Sequence, residues 1–188
     1  MRPLVCLLIA GLSAPSFAAG DEPPPLLQVG TQSKRFALRP INPKASGVRR
    51  FVLAKIVGKR APAKSRAKLL AVAFYATWCE SCQVELPVLN RIAEAHKADG
   101  FRAVVIGVDK GADSRDKLKQ RMTELGITMP VVHDGANILM RRYNAAELPT
   151  LYLIDGTGTI VFAKSGFNIK KRDDKKIARA IAKHLAGG

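Results

Sequence analysis

Residues 77–87 read Thr77-Trp78-Cys79-Glu80-Ser81-Cys82-Gln83-Val84-Glu85-Leu86-Pro87. Two thiols three positions apart can close into a disulfide and reopen, which is two-electron chemistry that needs no other group. Their setting matters as much as their spacing. The run Leu69-Leu70-Ala71-Val72-Ala73-Phe74-Tyr75 before them is short, apolar and bounded by polar residues, the pattern of a buried strand. After them Val84, Val88, Leu89, Ile92 and Ala93 recur at helical spacing. Cys79 therefore stands where a strand turns into a helix. There the unpaired N–H groups and the helix macrodipole favour an anion, here a thiolate. A Cys-x-x-Cys so placed is the signature of a redox dithiol.

Blander readings of the pair fit less well. Half a zinc site has the same spacing, but a structural zinc site needs four ligands. No second Cys-x-x-Cys exists, and His96, His133 and His184 are scattered without ligand spacing. No metal and no cofactor are expected. Two inert buried cysteines would require neither the preceding Trp78 nor a helix start.

The N-terminus reads as a processing signal. Arg2 supplies a minimal positive region and Leu4 to Leu12 an apolar one; Ser16-Phe17-Ala18 fits the small-x-small rule for cleavage after Ala18. Gly11, Ser13 and Pro15 interrupt the apolar stretch before it reaches membrane-spanning length. Export to the periplasm is the expected fate, with Cys6 removed. The exported chain would keep Cys79 and Cys82 alone, so the pair is the function and not one staple of a disulfide framework. The expected organisation is a signal peptide over 1–18, a Pro-rich flexible lead-in over 19–30 and one domain over 31–188.

The chain carries 31 Lys and Arg against 15 Asp and Glu, a formal charge of +16. Export, and the lack of aromatics interleaved with the charges, argue against nucleic acid. A basic solvated surface that meets acidic partner proteins or an anionic membrane surface fits better.

The remaining pattern supplies the elements that must hold the pair. Short strands are expected at 36–38 and 51–53 with a turn at Gly47. A strand over 69–76, a helix over 79–98 stopped by Gly100, a strand over 101–109 and a helix over 114–125, with Ser114 as N-cap, follow. Then come a short strand at 129–133, a helix at 137–143, strands at 151–154 and 159–163 joined by Asp155-Gly156-Thr157-Gly158, and an amphipathic helix over 173–185. This alternation means an α/β fold whose sheet is parallel at first and mixed later.

With these elements in order, the chain resembles the thioredoxin superfamily, and within it the TlpA/ResA-like family of exported thiol–disulfide oxidoreductases. The resemblance spans residues 28–186. It is carried by Phe74-Tyr75-Ala76-Thr77-Trp78-Cys79-Glu80-Ser81-Cys82, by Glu85 and Pro87, by Leu148-Pro149-Thr150, and by the Asp155-Gly156-x-Gly158 hairpin. It implies a thioredoxin-like fold with a mixed central sheet flanked by helices, an N-terminal strand extension and a central strand–helix insertion within 101–145. It also implies a cis Pro149 facing the dithiol, and a bend in the helix at Pro87.

For the chemistry, Cys79 is expected to be the nucleophile, being nearer the helix start, and Cys82 the resolving thiol. Glu80 and Ser81, between the sulfurs, tune thiolate stability; related proteins often carry Pro where Ser81 stands. The acid that thioredoxins often carry six residues before the first cysteine is replaced here by Ala73. The resemblance assigns a catalytic carboxylate instead to Glu85, three residues after Cys82. Trp78, Glu80, Ser81, Leu148 and Pro149 are expected to line the substrate surface, and His133 to have no role in metal binding. Expected partners are substrate proteins with disulfides or thiols, such as cytochrome c maturation clients, and an electron-donor thiol protein, with reduction favoured as the direction. Two rivals share the fold. A thioredoxin-like copper chaperone would use Cys-x-x-x-Cys with a later His, one residue longer than the spacing here. A thiol peroxidase would normally lack the Trp-Cys-x-x-Cys context.

Overall fold

The structure, a computed structural model, describes residues 23–187. The leader expected over 1–18, with Cys6, lies outside them. Apolar residues at 36–38 and 51–53 form the short strands β1 (Ala37–Leu38) and β2 (Phe51–Val52), which pair antiparallel around α1 (Pro43–Ser46). Two single-turn 3₁₀ segments then lead to β3 (Leu69–Tyr75), every residue of which is buried. The chain continues through α2 (Glu80–Ala95), β4 (Phe101–Gly107), α3 (Ser114–Glu124), β5 (Val131–His133) and α4 (Ile138–Arg142). It closes with the hairpin β6 (Thr150–Asp155) and β7 (Ile160–Ser165) and with α5 (Asp173–Ala186).

The five-stranded sheet runs β5-β4-β3-β6-β7. β4 lies parallel to β3 and β5 parallel to β4, while β6 is antiparallel to both β3 and β7. β3 is central and covered on both faces, which is why it reads as an unbroken apolar run. α2 packs against β4 and α5, and α5 against β3. The N-terminal segment is fixed by aromatic contacts: Phe36 stacks on Phe51 with centroids 5.6 Å apart and meets Tyr143 edge-on at 6.3 Å. The thioredoxin-like arrangement, with a β1–β2 extension and a strand–helix insertion, is the architecture expected from the sequence.

Three local expectations need correction. The lead-in over 19–30 is not loose from Pro25 onward. Pro25 O accepts from Asn144 Nδ2 at 2.9 Å, Leu27 N–H donates to the Tyr152 hydroxyl at 3.1 Å and Gly30 N–H to Ile160 O at 2.8 Å. Ser114 is not the cap of α3 but its first residue. Asp113 holds the cap position without a side-chain cap bond, and the Ser114 hydroxyl donates to Gly111 O at 2.6 Å. Finally, the buried stripe of α2 is Cys82, Glu85, Leu86, Leu89 and Ala93, while Val84 is exposed. Apolar periodicity alone turns this helix by about one residue, because it excludes the acidic residue that the fold buries.

Candidate active site

The dithiol is built at the C-terminal end of the sheet. After Tyr75 the chain turns, with Cys79 N–H donating to Ala76 O at 3.1 Å. Cys79 is extended (φ −90°, ψ 104°) and caps α2, its Sγ accepting the Cys82 N–H at 3.3 Å. The side chain that does the chemistry thus occupies the place of a capping oxygen, and the helix N-terminus faces the sulfur. Cys79 and Cys82 form a disulfide, with Ser81 Oγ 3.6 Å from Cys79 Sγ. Cys79 is 7 % exposed and Cys82 1 %, so the first sulfur is the more accessible. Beside them Trp78 is 71 % exposed, so it is a surface residue and not a core aromatic. Glu80, in the first turn of α2, is exposed and Ser81 half-buried.

The loop before Cys79 is held from two sides. Asp109, just beyond β4, accepts from both the Thr77 N–H (2.9 Å) and the Thr77 hydroxyl (2.5 Å) through one oxygen, Oδ1. From α2, Gln83 Nε2 donates to Thr77 O at 2.9 Å. Asp109 is 5 % exposed, and its second oxygen, Oδ2, is buried without a hydrogen-bond partner. Its position was missed in the sequence; the available signal was an acid directly after the apolar run 103–108. His133 sits behind this loop, its Nε2 2.9 Å from Asp109 O. A carbonyl oxygen only accepts, so that nitrogen carries the proton and the ring is a support for the loop. An Asp109→Ala chain leaves two Thr77 donors without their acceptor and is expected to lose about 1–3 kcal/mol, read as a lower urea midpoint. Asp109→Asn keeps an acceptor oxygen and should lose less; equal midpoints for Asp109→Ala and the parent chain would remove the clamp from this account.

Glu85 lies one turn after Cys82 on the same face of α2 and is 3 % exposed. No hydrogen bond to its carboxyl forms among the described residues. Burial pushes it from 4.5 up to about 8, with the Lys164 ammonium pulling it down and the Asp173 carboxylate pushing it up. Lys164 comes from β7 and pairs with Asp173 at 3.0 Å, also donating to Gly166 O. Asp173 further accepts from Lys176 Nζ at 3.0 Å and from Asn168 N–H at 2.9 Å. Burial pushes the Asp173 carboxyl up, but these hydrogen bonds prevail and hold it at about 2. Glu85 is therefore a protonated acid at neutral pH beside an ion pair that is already satisfied. Neither Lys164 nor Asp173 stood out in the sequence, where both belong to generally basic stretches.

Leu148 and Pro149 reach the same end of the sheet through strand register. Thr150 pairs with Phe74 in the antiparallel β3–β6 ladder, so the residue before it lies level with the end of β3, from which the chain runs to Cys79. The Leu148–Pro149 peptide bond is cis, Pro149 is buried, and Pro149 O accepts from Gly166 N–H at 2.7 Å. Pro87 lies inside α2, half-buried. The sequence-predicted residues Trp78, Cys79, Glu80, Ser81, Cys82, Glu85, Leu148 and Pro149 thus gather at one edge. A cleft of about 510 Å³ adjoins Trp78 alone of these, lined also by Thr77, Asp109, Lys110, Lys117 and Met140 among others.

Known proteins share this arrangement. The AhpC/TSA family model matches residues 50–163. The thiol-disulfide oxidoreductase ResA of Geobacillus kaustophilus is 32 % identical over 95 residues, 50 % of this chain and 53 % of that one, so the chain spans about half the length of this relative. ResA of Geobacillus thermodenitrificans is 27 % identical over 132 residues, 70 % of this chain and 74 % of that one. Among solved structures, a DsbE-type thiol:disulfide interchange candidate from Chlorobium tepidum superimposes with a TM-score of 0.70 at 22 % identity, covering 85 % of this chain and 99 % of its own. By the family match the chain belongs to the AhpC/TSA family, and its likeness to the ResA proteins agrees with the TlpA/ResA-like resemblance in its sequence.

Proposed function

We propose that the chain is an exported thiol–disulfide oxidoreductase that reduces disulfides in client proteins through the Cys79–Cys82 couple. The observation that carries this reading is the disulfide closed at the start of α2 with Cys79 Sγ in the cap position, and a buried carboxyl one turn after Cys82 on the same helix. In the reduced protein the Cys79 thiolate attacks one sulfur of a client disulfide. A mixed disulfide forms, and the client's other sulfur leaves as a thiolate. Cys82 then loses its proton and attacks Cys79 Sγ, releasing the second client thiolate. The client gains two electrons and the Cys79–Cys82 disulfide is restored.

Glu85 suits the proton step because its affinity is close to that of a thiol. Once ionised, a carboxyl held at about 8 can take the proton of a group whose ordinary value is about 8.5 at little cost, which an ordinary carboxylate cannot. Trp78, exposed beside Cys79, supplies apolar contact for a client chain, and Leu148–Pro149, at the same end of the sheet, supplies a second part of the docking surface. Glu80 and Ser81 are exposed or half-exposed and modulate the thiolate. The reductive direction rests on the resemblance to TlpA/ResA-like proteins, as do cytochrome c maturation clients and the need for a thiol donor. Export, a periplasmic location and the division into a leader over 1–18, a lead-in and a single domain rest on the sequence pattern of the N-terminus.

The test is reduction of a disulfide-bonded protein such as insulin, with dithiothreitol as donor. Catalysed precipitation of the reduced chains is expected. Negligible catalysis of insulin reduction together with rapid direct consumption of hydrogen peroxide would replace this reading with the peroxidase one.

A further inference from the structure

Between Pro23 and Cys79 the chain has twelve Lys and Arg residues and no Asp or Glu. The dithiol site uses none of them. Several converge on a cleft of about 720 Å³ whose walls come from different parts of the chain. Arg35 precedes β1, Lys59 and Arg60 lie in the loop after β2, and Arg66 precedes β3. The remaining wall is the Gly156–Gly158 turn of the β6–β7 hairpin. No acidic residue lines the cleft, and none of these four cations forms an ion pair among the described residues. The neighbouring acid, Asp155, is turned inward on its own hairpin, its Oδ1 accepting from Thr157 N–H at 2.9 Å and Thr159 N–H at 3.0 Å.

We propose that this cleft is a docking site for an acidic peptide segment of a partner protein. Uncompensated like charges around a concavity focus a positive potential into it, which an anionic occupant relieves. Three of the four groups are guanidinium forks, which match carboxylates in pairs. Concavity selects the occupant: a flat bilayer surface cannot follow the walls, and one small anion cannot answer cations from three separate chain segments. An extended segment bearing several carboxylates can do both, and the side-chain-free Gly58 and Gly158 leave room for its backbone. The location fits tethering and not chemistry. Leu69, at the start of β3, pairs with Asp155 beside the hairpin, whereas the dithiol follows the other end of that strand, about 20 Å away. A partner held here leaves Cys79 free.

The test uses fluorescein-labelled octaglutamate, with octaglutamine as control, in anisotropy titrations at low ionic strength. Two variants remove equal charge: Arg35→Gln/Lys59→Gln/Arg60→Gln in the cleft, and Lys175→Gln/Arg179→Gln/Lys183→Gln on the exposed face of α5. Arg66 is spared because its guanidinium also holds Ala61 O at 2.9 Å. Octaglutamate should bind the parent chain and octaglutamine should not; the cleft variant should bind at least ~10-fold more weakly and the helix variant within ~2-fold of the parent. Insulin reduction by the cleft variant, a readout of fold and dithiol, should be unchanged, which separates failure of this inference from failure of the oxidoreductase reading. Equal weakening in both variants would reduce the effect to net charge and overturn the proposal. So would displacement of octaglutamate by millimolar inorganic phosphate, or loss of binding to phosphatidylglycerol vesicles in the cleft variant with octaglutamate binding intact.

Discussion

A Cys79→Ser chain loses protein-disulfide reduction, with turnover down by at least about a thousandfold, because the thiol that remains, Cys82, is buried and does not reach a client disulfide. Cys82→Ser fails differently. Its Cys79 still attacks, but nothing resolves the product, so a covalent complex with the client accumulates and is visible on non-reducing gels as a species cleared by dithiothreitol. The asymmetry follows from burial, since Cys79 is the more exposed sulfur and occupies the cap of α2, where the Cys82 N–H points at it. A trapped complex in the Cys79→Ser chain in place of the Cys82→Ser chain would reverse the assignment of the two roles. Replacement of both residues should leave the fold standing, because the pair closes a loop of only two intervening residues and so constrains the unfolded chain little.

Glu85→Gln is expected to lower turnover by about 100-fold while preserving the fold, since it keeps shape and removes only the titrating proton. The step affected is release of the mixed disulfide. In the parent chain that rate should rise with pH through about 8, as Glu85 becomes a base; in Glu85→Gln this inflection should vanish. Rates identical to the parent across the pH range would remove Glu85 from the mechanism. The same residue fixes a stability signature. The folded carboxyl keeps its proton to about pH 8, whereas the unfolded one releases it near 4.5. Between those values the folded state binds the extra proton, so stability is highest below 4.5 and falls as pH rises through the window. Urea midpoints of Glu85→Gln should lack this decline.

The sequence and the structure agree where one physical cause dominates. β3 was legible because a strand covered on both faces must be apolar throughout, and the dithiol because a thiol pair between such a strand and an amphipathic stretch has few other uses. The hairpin at 155–159 was legible from turn chemistry. Reading failed where tertiary burial overrides local polarity. Glu85 counts as a surface residue in any periodicity, which turned the predicted face of α2 toward Val84; only the resemblance marked the residue for function. Asp109, Lys164 and Asp173 act through distant partners across the sheet, and separations of 32 residues from Asp109 to Thr77 leave no local trace. Prolines in the lead-in say nothing about docking, and the Tyr152 hydroxyl that holds Leu27 stands 125 residues away.

The equilibrium reduction potential of the Cys79–Cys82 couple is the most direct test of the central claim. Equilibration in thiol–disulfide buffers, followed by alkylation and mass analysis, should give one reversible two-electron transition near the thioredoxin end of the scale, about −270 mV. That value makes the protein a reductant that needs a dedicated donor in an oxidising compartment. A value near about −120 mV would make it a donor of disulfides and contradict the direction proposed here.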